Sequence, residues 1–482
     1  MLSQNRLAGQ INRFKKQFLQ LSQTDIVDLL DTEVLCKMFE KAEEELPHVL
    51  RNRIWTPVVT LFAFIKQKLI HGGCSDAVTF VQAERVRAGL EACSSNTSGY
   101  CQARQQLPET LLWDLVRYTG QQLEDASQMH WRWRGRAVKL ADGSTVQMSD
   151  TPANQKAYPQ ESNQKEGLGF PLARIEVIAS LNGGAVLDCS IGPYAGKGTG
   201  ETALLRKMLP GSIQAGDIWL TDSYYESFWH ATYALEHGID ILSPARSSRK
   251  INWTDGVQQG NEYYDRLFQL KKPVRPEWMM PEEYNRQPES VTVRIFRIYG
   301  KNYVTTMLNP RQYRKNALRK LYKQRWHIEV DLRFIKCVMQ MEFLYCKTPE
   351  MVRKEIAATL LAYNLTRMLM VQAGIKYGAW PRNLSFSKAL AVLQEFGGDL
   401  LKASGEELLS LVIKVLKIVA SAKLFKRNGR VVPRDIKRRP SKKYPYRNTK
   451  RTSKSLENPC KQNLYRDWFR KISGREMCAT LS

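Results

Sequence analysis

Apolar residues recur with the spacing of an amphipathic helix through most of the first 130 residues. Residues 94–123 add two more predicted helices, joined near Pro108. This pair can form a helix-turn-helix that reads DNA, with Arg104 as a possible contact, or a helical hairpin that only packs, and the pattern favours neither. Residues 1–130 are therefore predicted to form an all-α N-terminal domain that binds DNA. The segments with helical periodicity are "TDIVDLLDTEVLCKMFEKA", "TPVVTLFAFIKQKLI" and "SDAVTFVQAERVRAGL".

From Arg136 the pattern changes to short apolar strands with turns between them. A strand hairpin closes at Asn182-Gly183-Gly184, and it is followed by helix, strand, helix and strand, which predicts an α/β core over residues 131–246. Side chains at the carboxyl ends of such strands usually hold the site. The predicted strands are "RAVKLADGSTV", "RIEVIASLN", "GAVLDCSIGPY", "GDIWLTD" and "IDILSPA".

The α/β order is interrupted and then resumes. Residues 247–315 are rich in turns and contain a predicted hairpin, "SVTVRIFRIYGKNYVTTML", so we expect a β-rich insertion. Helical periodicity returns over residues 316–375, which we assign to the second part of the core. Residues 376–482 are predicted to be a helical C-terminal region that ends in a basic tail.

Charge narrows the choice of partner. The chain carries 73 Lys+Arg against 47 Asp+Glu, a formal net charge of +26, which predicts a polyanionic partner. Residues 421–455 contain 14 Lys+Arg and one acid, Asp435. Such a tail can bind DNA phosphates, for example through Lys437, Arg438 and Arg439, or bind RNA, or remain a solvated end. No window reaches the roughly 18 apolar residues of a membrane span, so no membrane partner is expected.

Cysteine and histidine usage restricts the metal chemistry. The nine cysteines are scattered without a CxxC pair, and the six histidines show no HExxH spacing. This argues against zinc and for reduced thiols in a cytosol, and the N-terminus lacks the pattern of a signal peptide. Any metal would be a hard ion held by carboxylates.

The stretch "LYKQRWHIEVDLRFIK", residues 321–336, mixes acids, bases and aromatic residues. At about 100° per residue, one polar stripe lies directly beside the apolar face. Asp331 falls on the other side and is predicted to be solvated. The stripe consists of Tyr322, Arg325, Glu329, Arg333 and Lys336.

Two aspartates join Glu329 as candidate ligands. Asp142 follows "AVKLA" and Asp222 follows "IWLT", each where an apolar strand is predicted to end. Each of the three acids also has a simpler explanation. Glu329 could form an exposed ion pair with Arg333, Asp142 could start a turn, and Asp222 could cap a helix. Together they could hold one or two hard divalent ions, and two such ions support in-line attack on a phosphodiester.

The spacing of Tyr322, Arg325, Glu329 and Lys336 is the Y-x2-R-x3-E-x6-K signature, and it resembles the DDE transposases of the insertion sequence four family. Asp142 in "LADGST", Asp222 in "LTDSYY" and the β-rich insertion are similar to that family's arrangement as well. The resemblance implies an α/β, ribonuclease H-like catalytic core that binds Mg²⁺ or Mn²⁺, with two ions expected.

The resemblance also implies roles for individual residues. Asp142, Asp222 and Glu329 would be the catalytic metal ligands, while Tyr322, Arg325, Arg333 and Lys336 would hold DNA near the cleaved strand. Some relatives stack a flipped base on a tryptophan of the insertion, for which Trp253 and Trp278 are candidates.

The sequence therefore predicts a cut-and-paste DNA transposase. It would cleave double-stranded DNA at terminal inverted repeats and join the 3′ ends to target DNA as a homodimer, in the bacterial cytoplasm and on the nucleoid when bound. Two alternatives stay open: a site- or structure-specific metal nuclease with the same core, and a non-catalytic DNA-binding repressor derived from a transposase.

Overall fold

The computed structural model describes residues 2–18, 29–45, 54–260 and 262–424. Its N-terminal part is helical, as predicted. None of the helices in these ranges is both long and apolar enough to cross a membrane. The helices before the first strand are α1 (Leu2–Gln17), α2 (Thr32–Glu44), α3 (Pro57–Leu69), α4 (Cys74–Arg87), α5 (Ser98–Gln106) and α6 (Glu109–Asp125).

The predicted α/β order is present in the next segment. Its elements are β1 (Val138–Met148), α7 (Pro152–Ala157), β2 (Leu172–Ser180), β3 (Val186–Pro193), α8 (Glu201–Ser212), β4 (Ile218–Leu220), α9 (Phe228–Glu236) and β5 (Asp240–Pro244). The segment predicted as an insertion contributes β6 (Val257–Gln258), β7 (Asp265–Lys271), α10 (Pro281–Arg286), β8 (Ser290–Ile298) and β9 (Lys301–Thr305).

The chain then returns to helices. These elements are α11 (Lys315–Tyr322), α12 (Trp326–Arg333), β10 (Phe343–Leu344), α13 (Pro349–Tyr377), α14 (Phe386–Lys402) and α15 (Gly405–Ser421). A 3₁₀ turn, Lys323–Arg325, joins α11 to α12, and a π turn, Phe334–Val338, follows α12.

One mixed sheet carries all ten strands. Its order is β3-β2-β1-β4-β5-β9-β8-β7-β6, with β10 pairing with β1. β2 and β3 form an antiparallel meander with β1, whereas β4 and β5 run parallel to β1. This five-strand pattern is the ribonuclease H-like core that the resemblance implies, so the predicted α/β fold class is confirmed. The strands of the insertion extend the same sheet, because β9 pairs with β5.

The two faces of the sheet are covered by different helices. One face, which includes Leu140 and Leu220, joins the apolar core formed with α6, α12 and α13. The opposite face, which includes Ala141 and Trp219, packs under α8 and α9. Alternation along each strand therefore decides on which side of the sheet a side chain acts.

The longest helix, α13, is buried along most of its length. It is buried on all sides because α3, α6, α14 and α15 all contact it. Thr348 caps its start, and Gly378, with a φ of 63°, ends it in the left-handed region that glycine adopts without strain. The N-terminal and C-terminal helices thus share one core with the sheet.

Candidate active site

Strand register places Asp142 and Asp222 side by side. Parallel pairing between β1 and β4 ends at Leu140 opposite Leu220, and each aspartate lies two residues beyond that pair. Neighbouring strands are about 4.8 Å apart, and residues two apart along a strand lie on the same face. The prediction that Asp142 follows the end of a strand is wrong, because β1 continues through it to Met148. It is β4 that ends here, and this exposes the Asp142 side chain at the strand edge.

The third carboxylate comes from a helix on the same face of the sheet. Ile328 and Leu332 anchor α12 in the core that also contains Leu140, and α12 contacts β1. This packing turns Glu329 towards the two aspartates. Its side chain is 35% exposed, against 22% for Asp142, so solvent reaches the group.

Arg325 lies among these acids. Its Nη2 donates a hydrogen bond of 2.7 Å to Glu329 Oε1, and its Nη1 lies 3.6 Å from Asp142 Oδ2. That Nη1 is buried and makes no hydrogen bond. A single guanidinium therefore serves carboxylates from two elements, and negative charge exceeds positive charge at this point.

The electrostatics of Asp142 reflect the same excess. The pKa of Asp142 is raised to about 6, chiefly by burial and also by the nearby carboxylates of Asp222 and Glu329. The Arg325 guanidinium and the Gly143 backbone N–H act in the opposite direction. All three acids are thus close enough to influence one another.

The donors suit a hard divalent ion. Within the described ranges, no three His, Cys, Asp or Glu side chains meet as a ready-formed metal site. Around Arg325, however, the acidic groups are all carboxylates, the ligands that Mg²⁺ and Mn²⁺ prefer, and Arg325 forms a hydrogen bond with Glu329 but not with Asp142.

The predicted DNA-contacting residues lie along the same helical segment. Tyr322 is half-buried, with its ring 5.3 Å from that of Tyr303, and burial raises its pKa to about 12. Arg333 is exposed and Lys336 is half-buried within the π turn. The π turn departs from the regular 100° projection, so that projection does not give the direction of Lys336.

Asp331 corrects the sequence analysis. Predicted to be solvated, it is completely buried, and its Oδ1 accepts hydrogen bonds from Arg367 (2.6 Å), Arg382 (2.5 Å) and Tyr363 (3.0 Å). The reason is that α13 and the turn containing Arg382 cover the side of α12 that the projection assigned to solvent. Both sides of α12 are therefore engaged.

Arg104 and the helix pair predicted near Pro108 are packed against other parts of the chain. The Arg104 guanidinium lies 4.9 Å from the Phe64 ring and 5.4 Å from the Tyr100 ring, and it bonds to Gln67, so it packs α5 onto α3. Helix α6 is packed between β3 and α13, and a Cβ at Gly120 would lie 2.3 Å from the Val186 carbonyl oxygen. Of the two predicted alternatives, this matches the packing hairpin. Lys437, Arg438 and Arg439 lie outside the described residues.

The two tryptophans of the insertion differ. Trp253 is 8% exposed and belongs to the core beneath α8 and α9, so it is not placed to stack on a base. Trp278 is 43% exposed, and the Arg206 guanidinium lies 3.8 Å from its ring. The pair lines a cleft that also contains Trp229.

Two further acids near Asp222 were missed. Glu176, in the middle of β2, accepts a hydrogen bond of 2.8 Å from the Tyr225 hydroxyl, and burial raises its pKa well above the usual range. Glu226 is buried in the turn after Asp222. A charged residue inside the apolar strand "RIEVIAS" is the signal that could have revealed Glu176; Glu226 has no such signal, because its partners lie 20 and 23 residues further along the chain.

Two comparisons of the sequence and one of the structure found similar proteins. Residues 133–365 match the family described as the transposase DDE domain. The chain is 28% identical over 360 residues to the transposase InsG for insertion sequence element IS4 of Escherichia coli K12, which covers 72% of this chain and 78% of that protein. A solved synaptic complex of piggyBac transposase with hairpin DNA superposes with a TM-score of 0.41 at 9% identity, over 87% of this chain and 86% of that one.

Proposed function

We propose that the chain is a DDE transposase of the insertion sequence four family. We further propose that it carries out a cut-and-paste reaction in which Asp142, Asp222 and Glu329 hold divalent metal ions at a DNA end. The observation that carries the proposal is the meeting of β1, the turn after β4 and α12 around one guanidinium. Three carboxylates against one arginine leave a demand for positive charge that a metal ion would meet.

Membership of the family implies dependence on a divalent ion. Bound there as a pair, Mg²⁺ or Mn²⁺ would supply an activated water or 3′-hydroxyl and stabilise the leaving oxygen. Asp142 lies on β1 and Asp222 follows the end of the neighbouring strand β4, so together these carboxylates would define where the scissile phosphate lies. Glu329 completes the set from the helix that packs across β1.

The cationic side chains of the signature would hold the DNA strand. We infer that Arg325, Lys336 and the Tyr322 hydroxyl bind phosphate oxygens next to the carboxylates, with Arg333 on the exposed side of the same segment. Arginine suits this task because its planar guanidinium donates two parallel hydrogen bonds to one phosphate. With a metal bound, Arg325 would be able to exchange a carboxylate partner for a phosphate.

The basic tail would add affinity for DNA without adding specificity for a DNA sequence. Residues 421–455 carry 14 Lys+Arg. We propose that contacts such as Lys437, Arg438 and Arg439 follow the phosphate backbone of double-stranded DNA, because such contacts carry no base information. Deleting residues 431–482 should weaken binding to every DNA sequence alike and reduce the dependence of affinity on salt. Loss of binding to the terminal repeat alone would show instead that the tail reads bases.

A joining assay tests the proposal as a whole. The purified chain would be incubated with Mg²⁺, DNA carrying the element's terminal inverted repeats and a supercoiled plasmid. We expect cleavage at the repeat ends and plasmid molecules joined to the repeat DNA, both lost in Glu329→Gln. Cleavage without joining would identify a nuclease, and binding without cleavage would identify a repressor.

The assembly and location follow the same proposal. A homodimer would pair two element ends before cleavage, in the bacterial cytoplasm and on the nucleoid. Mass photometry with and without repeat DNA would test this, and a strictly monomeric complex on a single end would contradict it.

A further inference from the structure

Asp222 is held by a short turn whose conformation depends on the insertion. β4 is only three residues long, and Asp222 follows it beyond the last paired residue. The neighbouring Asp142 carboxylate carries the same charge, so the position of Asp222 must be fixed by the residues after it. Its Oδ1 accepts a 2.7 Å hydrogen bond from the Tyr224 backbone N–H, which ties the carboxylate to the turn.

The turn is anchored by an ion pair between a buried acid and a partly exposed arginine. Glu226 is 2% exposed, and Arg249 donates to it through Nε (3.0 Å) and Nη2 (2.6 Å), a two-pronged contact. Such contacts fix orientation as well as distance. Arg249 lies in the first residues of the insertion, three residues beyond Arg246.

Arg246 holds the same turn at two points. Its Nη2 donates to the Tyr224 carbonyl oxygen at 2.5 Å, and its backbone N–H donates to Glu226 Oε2 at 3.3 Å. Both partners lie within four residues of Asp222. The segment between β5 and the insertion therefore binds the turn at two points, the Tyr224 backbone carbonyl and the Glu226 side chain.

We propose that Glu226 and Arg249 are positioning residues for Asp222, through which the insertion sets the metal affinity of the active site. This inference rests on the proposed role of Asp222 as a metal ligand. Neither residue would touch metal or DNA in this role; the ion pair would fix the turn, and the turn would fix the carboxylate.

Metal binding by the full chain tests the proposal without relying on activity. The affinity for Mn²⁺ alone would be measured by electron paramagnetic resonance, with Asp222→Asn as the reference. Glu226→Gln and Arg249→Ala should each weaken Mn²⁺ binding about tenfold, as outer-shell changes do in metal sites. The double variant should be no weaker than either single variant, because both changes release the same turn.

A second ion pair supplies the matched control. Arg294 binds Asp265 through two hydrogen bonds of 2.7 and 2.6 Å, also in the insertion but on β8 and β7. Asp265→Asn should leave Mn²⁺ affinity unchanged. An equal loss in this control would show that general loosening of the insertion, and not the turn, is responsible, and would overturn the proposal.

The outcomes separate this inference from the proposed function. If Asp222→Asn binds Mn²⁺ as the unmodified chain does, Asp222 is not a ligand and the proposed function fails. If Asp222→Asn weakens binding while folded Glu226→Gln does not, only the positioning role fails. Should Glu226→Gln not fold, Arg249→Lys replaces it, because that side chain is 27% exposed and keeps its charge while losing the two-pronged contact; unchanged Mn²⁺ affinity there would also overturn the inference.

Discussion

Two clusters of carboxylate and arginine lie on opposite sides of α12, and they differ in their balance of charge. Around Arg325, one guanidinium contacts the carboxylates of Glu329 and Asp142, the Asp222 carboxylate lies nearby, and solvent reaches the group. Around Asp331, one carboxylate receives two guanidiniums and a phenol, all buried. The comparison teaches that residue type alone does not identify a metal site. An excess of negative charge at a solvent-accessible strand edge favours the binding of a cation, whereas a surplus of donors around a buried acid indicates a structural role.

The largest expected effect is on catalysis at the acid-rich cluster. Asp222→Ala removes a proposed metal ligand, and metal ions contribute several kcal/mol to transition-state stabilisation in reactions of this kind. We expect Mg²⁺-dependent strand cleavage to fall about a thousandfold or more, since each 1.36 kcal/mol is about tenfold in rate. Gel analysis of cut repeat DNA would measure it. DNA affinity should stay nearly unchanged, and an active variant would remove Asp222 from the site.

A substitution in the cluster around Asp331 should reduce the stability of the folded chain. Asp331→Asn leaves Arg367 and Arg382 buried without their counter-ion, which typically costs about 3–5 kcal/mol. Urea denaturation would measure the free energy of unfolding. Glu329→Gln, only two residues away, provides the contrast and should change that quantity by far less. Equal losses in the two variants would erase the distinction between the clusters.

Adding a divalent ion should also distinguish the clusters, because it should stabilise the fold through the cluster around Arg325. Mn²⁺ at about 100 times its dissociation constant should stabilise the folded chain by about 2.7 kcal/mol. Thermal unfolding with and without Mn²⁺ would show this as a rise in Tm that chelation reverses. The rise should vanish in Asp142→Asn. A rise that persists there would place the ion somewhere else.

The smallest effect concerns pH in the absence of metal. The pKa of Asp142 is about 6 in the folded chain, above its ordinary 3.8, so the ionised side chain opposes folding at neutral pH. Asp142→Asn should therefore stabilise the metal-free chain by about 1–2 kcal/mol above pH 6, allowing for solvent screening. The gain should fade as the pH drops from 6 to below 3.8. Urea midpoints across this range would test the trend, and a gain that grew on acidification would contradict it.

Local patterns predicted much of this molecule. The α/β order follows from the short apolar strands and the helices between them, and the signature that runs from the end of α11 to the π turn after α12 follows from its fixed spacing. Asp142 and Asp222 could be selected because both follow apolar residues of parallel strands. That the two carboxylates lie side by side could not be predicted, because it depends on the register of Leu140 opposite Leu220.

The failures have a common physical cause. Asp331 looked solvated because its partners, Arg367 and Arg382, lie 36 and 51 residues further along the chain. A projection at constant angle also assumes a regular helix, whereas a 3₁₀ turn precedes α12 and a π turn follows it. The choice between the two alternatives for Arg104 stayed open for the same reason, because nothing local reveals the rings of Phe64 and Tyr100 around it. Each error concerns contacts between distant parts of the chain.

The shared core around α13 bears on how such a protein can change over evolution. Helices α3 and α6 pack directly on α13, and α6 also covers β3. Cutting the chain near residue 130 would expose apolar surface on the remaining part. The N-terminal helices therefore cannot be exchanged as an independent domain. New DNA preferences would have to arise by point changes on exposed positions, or by growth of loops, and a truncated gene product would be expected to aggregate.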